Sequence, residues 1–225
     1  MRLGALILGL SLALGACADD APDAVTQPTY VDGKDYLSMT VPVPTIAPAD
    51  KVEVTEVFRF GCPHCYHFES VLAEWNKTRS PLIDFIHNPV VWDDVTARRA
   101  TLYYVGQALK IGDETSAAIF KSIHEAADPR TASTQALMKD DDALDMFVSL
   151  GADRDKAAKL LTNSTIKYRV NQADSRARAF AIQGTPEMFV DGRYRVTADL
   201  AGTQEQMLKV VDFLVDKVAR EKGLK

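Results

Sequence analysis

The stretch KVEVTEVFRFGCPHCYHFES, residues 51–70, changes its hydrophobic period at Gly61, and no other segment narrows the possible architecture as far. Before Gly61, Val52, Val54, Phe58 and Phe60 alternate with Glu53, Thr55 and Arg59, which predicts a strand with one apolar face and one polar face. After it, Cys65, Phe68, Leu72 and Trp75 recur at helical spacing. A CPHC segment therefore sits where a strand turns into a helix. Pro63 suits the first helical turn, where its missing N–H is not needed. Glu56 breaks the alternation, because it places a carboxylate on the apolar face, where it is costly unless neutral or paired.

The rest of the body supports a mixed α/β layer. PLIDFIHNPVVW, residues 81–92, predicts a second strand. Helical patterns follow over 96–110, 114–126, 141–150, 153–163 and 166–182, with Tyr103 and Tyr104 read as core. Residues 186–196 predict a hairpin around Asp191-Gly192, and 203–221 a last helix with Met207, Val211, Leu214 and Val218 on one stripe. The order is β-α-β, a helical block, a hairpin and a helix, so the expectation is a small α/β layer interrupted by an all-helical insert.

The N-terminus reads as an export signal over residues 1–16, with Arg2 followed by an apolar run from Leu3 to Gly15 too short to span a bilayer. Leu14-Gly15-Ala16-Cys17 resembles the bacterial lipobox, which implies lipidation of Cys17 and a stable membrane anchor. Ordinary cleavage near Ala18 is the alternative and would discard Cys17. Residues 17–29 read as a flexible tether rich in Ala, Asp and Pro. The formal net charge of −5 and the lack of a basic cluster argue against nucleic-acid binding.

Either N-terminal route leaves only Cys62 and Cys65 available for thiol chemistry, in a compartment that permits disulfides. Bridging such near neighbours constrains little of the unfolded chain, so the pair is read as reactive. Covalent haem needs His directly after the second Cys, and Tyr66 stands there. Zinc would want four ligands, no further cysteine survives export, and His64 and His67 would both have to fold back toward one ion, so no metal is expected. Redox exchange needs what the spacing offers. Cys62 at a helix N-terminus is favoured as a thiolate, with His64 as an added cation. Cys65, on the buried stripe, resolves the mixed disulfide. No bound cofactor is expected, since the sulfurs carry both electrons.

FGCPHCYHFE resembles the active-site segment of the DsbA family of bacterial dithiol oxidases, YVDGKDY at 30–36 resembles the family's entry to its first strand, and GTPEMFVDGRYRV at 184–196 resembles its cis-proline segment. The resemblance implies a thioredoxin-like domain over 30–95 and 183–225 with a helical insertion domain over 96–182. It implies a cis bond before Pro186, whereas on the residues alone an ordinary trans proline is favoured. Thr185 and Pro186 would then face the cysteines and bind substrate. Glu56 matches a family acid and would relay the Cys65 proton, its alternative being a buried ion pair. Glu69 matches another such acid or is simply solvated. His67, His87 and His124 are read as structural or surface residues.

The implied activity is that of a periplasmic thiol:disulfide oxidoreductase of a Gram-negative bacterium. It would be a monomer that oxidises reduced or unfolded exported proteins and is itself recharged by a quinone-linked membrane oxidase of the DsbB kind. Thr185 stands where the best-known members carry Val and resembles disulfide isomerases in this respect. An isomerase or reductase on the same fold is thus the alternative, followed by a redox-inactive peptide-binding lipoprotein chaperone.

Overall fold

The computed structural model describes residues 29–225. The signal read over 1–16, Cys17 and the tether up to residue 28 lie outside the described residues. In chain order the elements are β1 (Leu37–Ser38), β2 (Val52–Phe58), α1 (Pro63–Thr78), β3 (Ile83–Pro89), α2 (Asp94–Leu109), α3 (Gly112–His124), α4 (Pro129–Gln135) and α5 (Asp140–Ser149). There follow α6 (Arg154–Leu161), α7 (Ser164–Ala179), β4 (Glu187–Val190), β5 (Tyr194–Val196), α8 (Ala198–Ala201) and α9 (Gln204–Lys222).

The strands form one five-stranded sheet in the order β1-β5-β4-β2-β3. Only β2 and β3 run parallel, joined through α1, and the register sets Glu56 beside His87. The hairpin β4–β5 pairs antiparallel with β2 on the other side. Its turn needs Gly192, which has φ +64° and whose added Cβ would fall 1.9 Å from the Val43 carbonyl oxygen.

The expectation of one polar face on β2 is corrected by the structure, because every residue from Val52 to Phe58 is buried. On one side Val52 and Val54 pack with Phe68 and Leu72 of α1 and with Met207, Val211 and Leu214 of α9. On the other side Val57 packs with Phe180 and Phe189 below α7. Glu53 and Thr55 are buried there because α7 brings its own cation. Arg176 pairs with Glu53, and the Ile46 and Ala47 amides donate to the other Glu53 oxygen at 2.7 and 3.2 Å. A strand covered by helices on both faces cannot keep a solvent side, and here a paired charge takes the place of apolar contact.

The helical block α2–α6 packs over the far end of β2. Phe58, Phe60 and Cys65 share one apolar cluster with Tyr103, Phe120 and Phe147, so this block roofs the CPHC segment. Arg99 links it to the turn before the cysteines. It is buried, donates to the Ala132 and Ser133 carbonyls at 3.1 and 2.9 Å, and lies where a Cβ on Gly61 would meet it at 3.3 Å. Helix α7 starts at Ser164, two residues before the predicted bound, because the Asn163 side chain caps the Thr165 amide at 2.8 Å.

Candidate active site

Cys62 ends the turn after β2 and caps α1 in an extended conformation (φ −92°, ψ 119°), with no side chain occupying the free amides of the first turn. Those amides and the helix dipole face the Cys62 sulfur, where they favour negative charge. Both thiols are free in this structure. As a thiol, Cys62 donates to the Thr185 carbonyl at 3.3 Å. As a thiolate it accepts instead, first from the Cys65 thiol and then, against the effect of burial, from the Thr185 hydroxyl and the Cys65 and His64 amides. The balance brings its pKa from 9.0 down to about 4.

Cys65 is pushed the other way. It is wholly buried, and burial raises its pKa above the ordinary thiol value, helped by the Cys62 sulfur and the Glu56 carboxylate. The Arg59 amide approaches its sulfur at 3.5 Å. Neighbouring cysteines with pKa values driven apart in this way have different chemical roles, one a ready thiolate and leaving group, the other a proton-holding thiol.

His64 is exposed, and its contribution to the Cys62 thiolate comes through its backbone N–H rather than its ring. Its carbonyl accepts from the Gln204 side chain at 2.7 Å, which ties the CPHC turn to α9.

The loop before β4 completes the site. The Thr185–Pro186 peptide bond is cis, and with it the loop reaches the Cys62 sulfur. Glu187, which the sequence reading did not single out, holds this loop in place. One of its oxygens accepts from the Gln183 amide at 3.0 Å, the Gly184 amide at 2.8 Å and Arg195 at 2.6 Å, all partly buried. A lone carboxylate directly after Pro186 in an otherwise apolar strand was the available signal. Glu187→Ala should strand two loop amides and a nearly buried guanidinium, and lower stability by about 3–5 kcal/mol in chemical denaturation. A cleft of about 640 Å³ runs between the loop and the CPHC turn, lined by Leu37, His64, Thr185, Pro186, Leu200 and Gln204.

Beneath Cys65 lies a group of ionisable side chains that the sequence reading had kept apart. Glu56 is fully buried, and His87 Nε2 lies 2.6 Å from its Oε2 and 3.6 Å from Glu69 Oε1. His87 is therefore not a surface residue. Its ring stacks on Phe58 at 3.9 Å. Burial depresses the His87 pKa, but the Glu56 carboxylate together with Glu69 and Asp113 outweighs burial and holds it above the ordinary value. Burial raises Glu69 to about 7, against the opposing pull of His87. Of the other histidines, His124 contacts the Phe60 carbonyl at 2.8 Å under the stacked Tyr66 ring, and His67 is exposed.

Comparison with known proteins gives a consistent result. Residues 112–210 match the model of the DSBA-like thioredoxin domain. The thiol:disulfide interchange protein DsbA of Burkholderia cepacia is 33% identical over 220 residues, covering 98% of both chains. The crystal structure of Pseudomonas aeruginosa DsbA superposes with a TM-score of 0.76 at 27% identity, over 86% of this chain and 97% of that one. The oxidoreductase DsbA from Xylella fastidiosa superposes with a TM-score of 0.75 at 28% identity, over 85% and 98%.

Proposed function

The chain belongs to the DsbA family of thiol:disulfide interchange proteins, and we propose that it donates a Cys62–Cys65 disulfide to reduced exported polypeptides. The observation that carries this reading is the opposed tuning of the two thiols, with Cys62 lowered to about 4 and Cys65 raised by burial. In the oxidising direction a substrate thiolate attacks the Cys62 sulfur of the disulfide. The Cys62–Cys65 bond breaks, and Cys65 leaves with the electron pair and takes up a proton. Glu56, buried beside it, is the group that exchanges this proton. A second substrate thiolate then attacks the substrate sulfur of the mixed disulfide, and Cys62 leaves as a stabilised thiolate. Two electrons pass to the protein and the substrate gains one disulfide.

Thr185 and Pro186 bind the substrate segment in the cleft beside Cys62, with exposed backbone of the loop as its partner. His64 lines the same cleft and contributes its amide to the thiolate. The lipobox-like Leu14-Gly15-Ala16-Cys17 extends this reading to a periplasmic body on a lipid anchor, within reach of a quinone-linked membrane oxidase of the DsbB kind. Among the described residues no helix is long and apolar enough to cross a membrane.

The direct test mixes stoichiometric oxidised protein with a reduced two-cysteine peptide and follows the peptide's mass. Loss of two hydrogens from the peptide with matching reduction of the protein supports donation, and no transfer refutes it. Thr185→Val, which removes a hydroxyl donor to the thiolate, should raise the Cys62 pKa by about 1 and lower the reduction potential by about 30 mV. Equilibration with a glutathione buffer measures that change.

A further inference from the structure

The cluster under Cys65 has more ligating capacity than its own contacts use. Glu56 is fully buried, yet among the described residues neither of its carboxylate oxygens accepts a hydrogen bond. His87 Nε2 lies at ion-pair distance from it without hydrogen-bond orientation, and Glu69 Oε1 is likewise buried and unpartnered. A cavity of about 630 Å³ opens against Glu69 and His87 and is also lined by Asp113 and Ser116. The Ser116 hydroxyl is buried there with no hydrogen-bond partner. Unpaired polar atoms converging on one cavity call for a polar occupant. Water would answer the hydrogen bonds but not the charge, since Glu56, Glu69 and Asp113 outnumber the two basic side chains around this cavity, His87 and Arg79.

We propose that Glu56, Glu69 and His87 form a Zn²⁺ site beneath the dithiol, with no sulfur ligand and reached through this cavity. One ligand atom from each residue lies within 4.8 Å of the other two. The elements explain the convergence: parallel β2 and β3 set Glu56 and His87 side by side, and Glu69 enters from α1, one turn beyond Cys65. Ligands at about 2.0–2.2 Å from a tetrahedral ion stand roughly 3.3–3.6 Å apart. The 3.6 Å gap between His87 and Glu69 already fits, and the 2.6 Å gap between His87 and Glu56 must open to admit the ion. The ion needs the imidazole nitrogen and the carboxylates free of protons, so binding weakens as the pH falls. An imidazole with two carboxylates and one water from the cavity is a set Zn²⁺ accepts, whereas Mg²⁺ and Ca²⁺ prefer oxygen alone.

The test uses the full chain with Cys17→Ser and with Cys62 and Cys65 closed as a disulfide, so no thiol competes and the result does not depend on the donor role proposed above. Calorimetric titration with Zn²⁺ should show one saturable site. Co²⁺ in its place should give visible d–d bands without sulfur-to-cobalt charge transfer. Glu69→Gln and His87→Gln should each weaken binding more than about tenfold, since losing a ligand costs at least as much as losing a supporting partner. Glu69→Gln is nearly isosteric on a partly exposed helix face, so it reports even if His87→Gln fails to fold. Absence of saturable Zn²⁺ binding, or unchanged binding in Glu69→Gln, would overturn the proposal.

Discussion

Cys62→Ser is expected to abolish oxidation of a reduced peptide, while Cys65→Ser is expected to accumulate covalent protein–peptide mixed disulfides. The asymmetry follows from where each sulfur sits. Cys62 caps α1 and touches the cis-proline loop, and at 6% exposure against 0% for Cys65 it is the less buried sulfur, so an incoming thiolate reaches it first. Cys65 is sealed under the helical block and keeps its proton. Without Cys62 the remaining sulfur is wholly buried. Without Cys65, nothing inside the protein can cleave the bond between Cys62 and a bound peptide. Non-reducing gels of each variant after incubation with a disulfide-bonded peptide distinguish the two. Mixed disulfides that accumulate in Cys62→Ser and not in Cys65→Ser would reassign the nucleophile.

The second large effect is on stability. Cys62 ionises with a pKa near 4 in the folded reduced protein and near 9.0 when unperturbed. A depressed pKa adds stability in full above the unfolded value, and that stability is lost as the pH falls toward the folded value. At pH 7 the contribution is on the order of 4 kcal/mol, which corresponds to roughly 90 mV in reduction potential relative to an untuned dithiol. Cys65, raised rather than lowered, is a thiol in both folded and unfolded chains at pH 7 and adds nothing there. The reduced protein should therefore unfold at higher denaturant than the oxidised protein at pH 7. That excess should shrink steadily toward pH 4. Paired denaturation curves at several pH values measure it, and a constant difference would contradict the assignment.

Much of this architecture was readable because it is written in period. The switch at Gly61 located the strand, the turn and α1, and the stripe from Met207 to Val218 located α9. The elements that escaped have no period to read. α4 and α8 are short, contain no buried residue, and are held by the side-chain caps of Asp128 and Thr197, while β1 is two residues on a sheet edge. The second face of β2 was misread because Glu53 and Thr55 look solvent-facing until Arg176, more than a hundred residues away, arrives to pair with them.

The cysteine pair was legible from spacing, and the cis bond from resemblance. His87 was not, because only strand register brings it beside Glu56. Glu187 was missed for a similar reason. Its partners are backbone amides and Arg195, which a linear reading cannot assign to it.

The central claim is that the folded protein holds the Cys62 sulfur as an anion near neutral pH. The most direct measurement is the ultraviolet thiolate absorbance of the reduced protein as a function of pH, with Cys62→Ser as the reference. The expected midpoint lies near pH 4 and is absent from the variant. A midpoint close to the unperturbed 9.0 would contradict it.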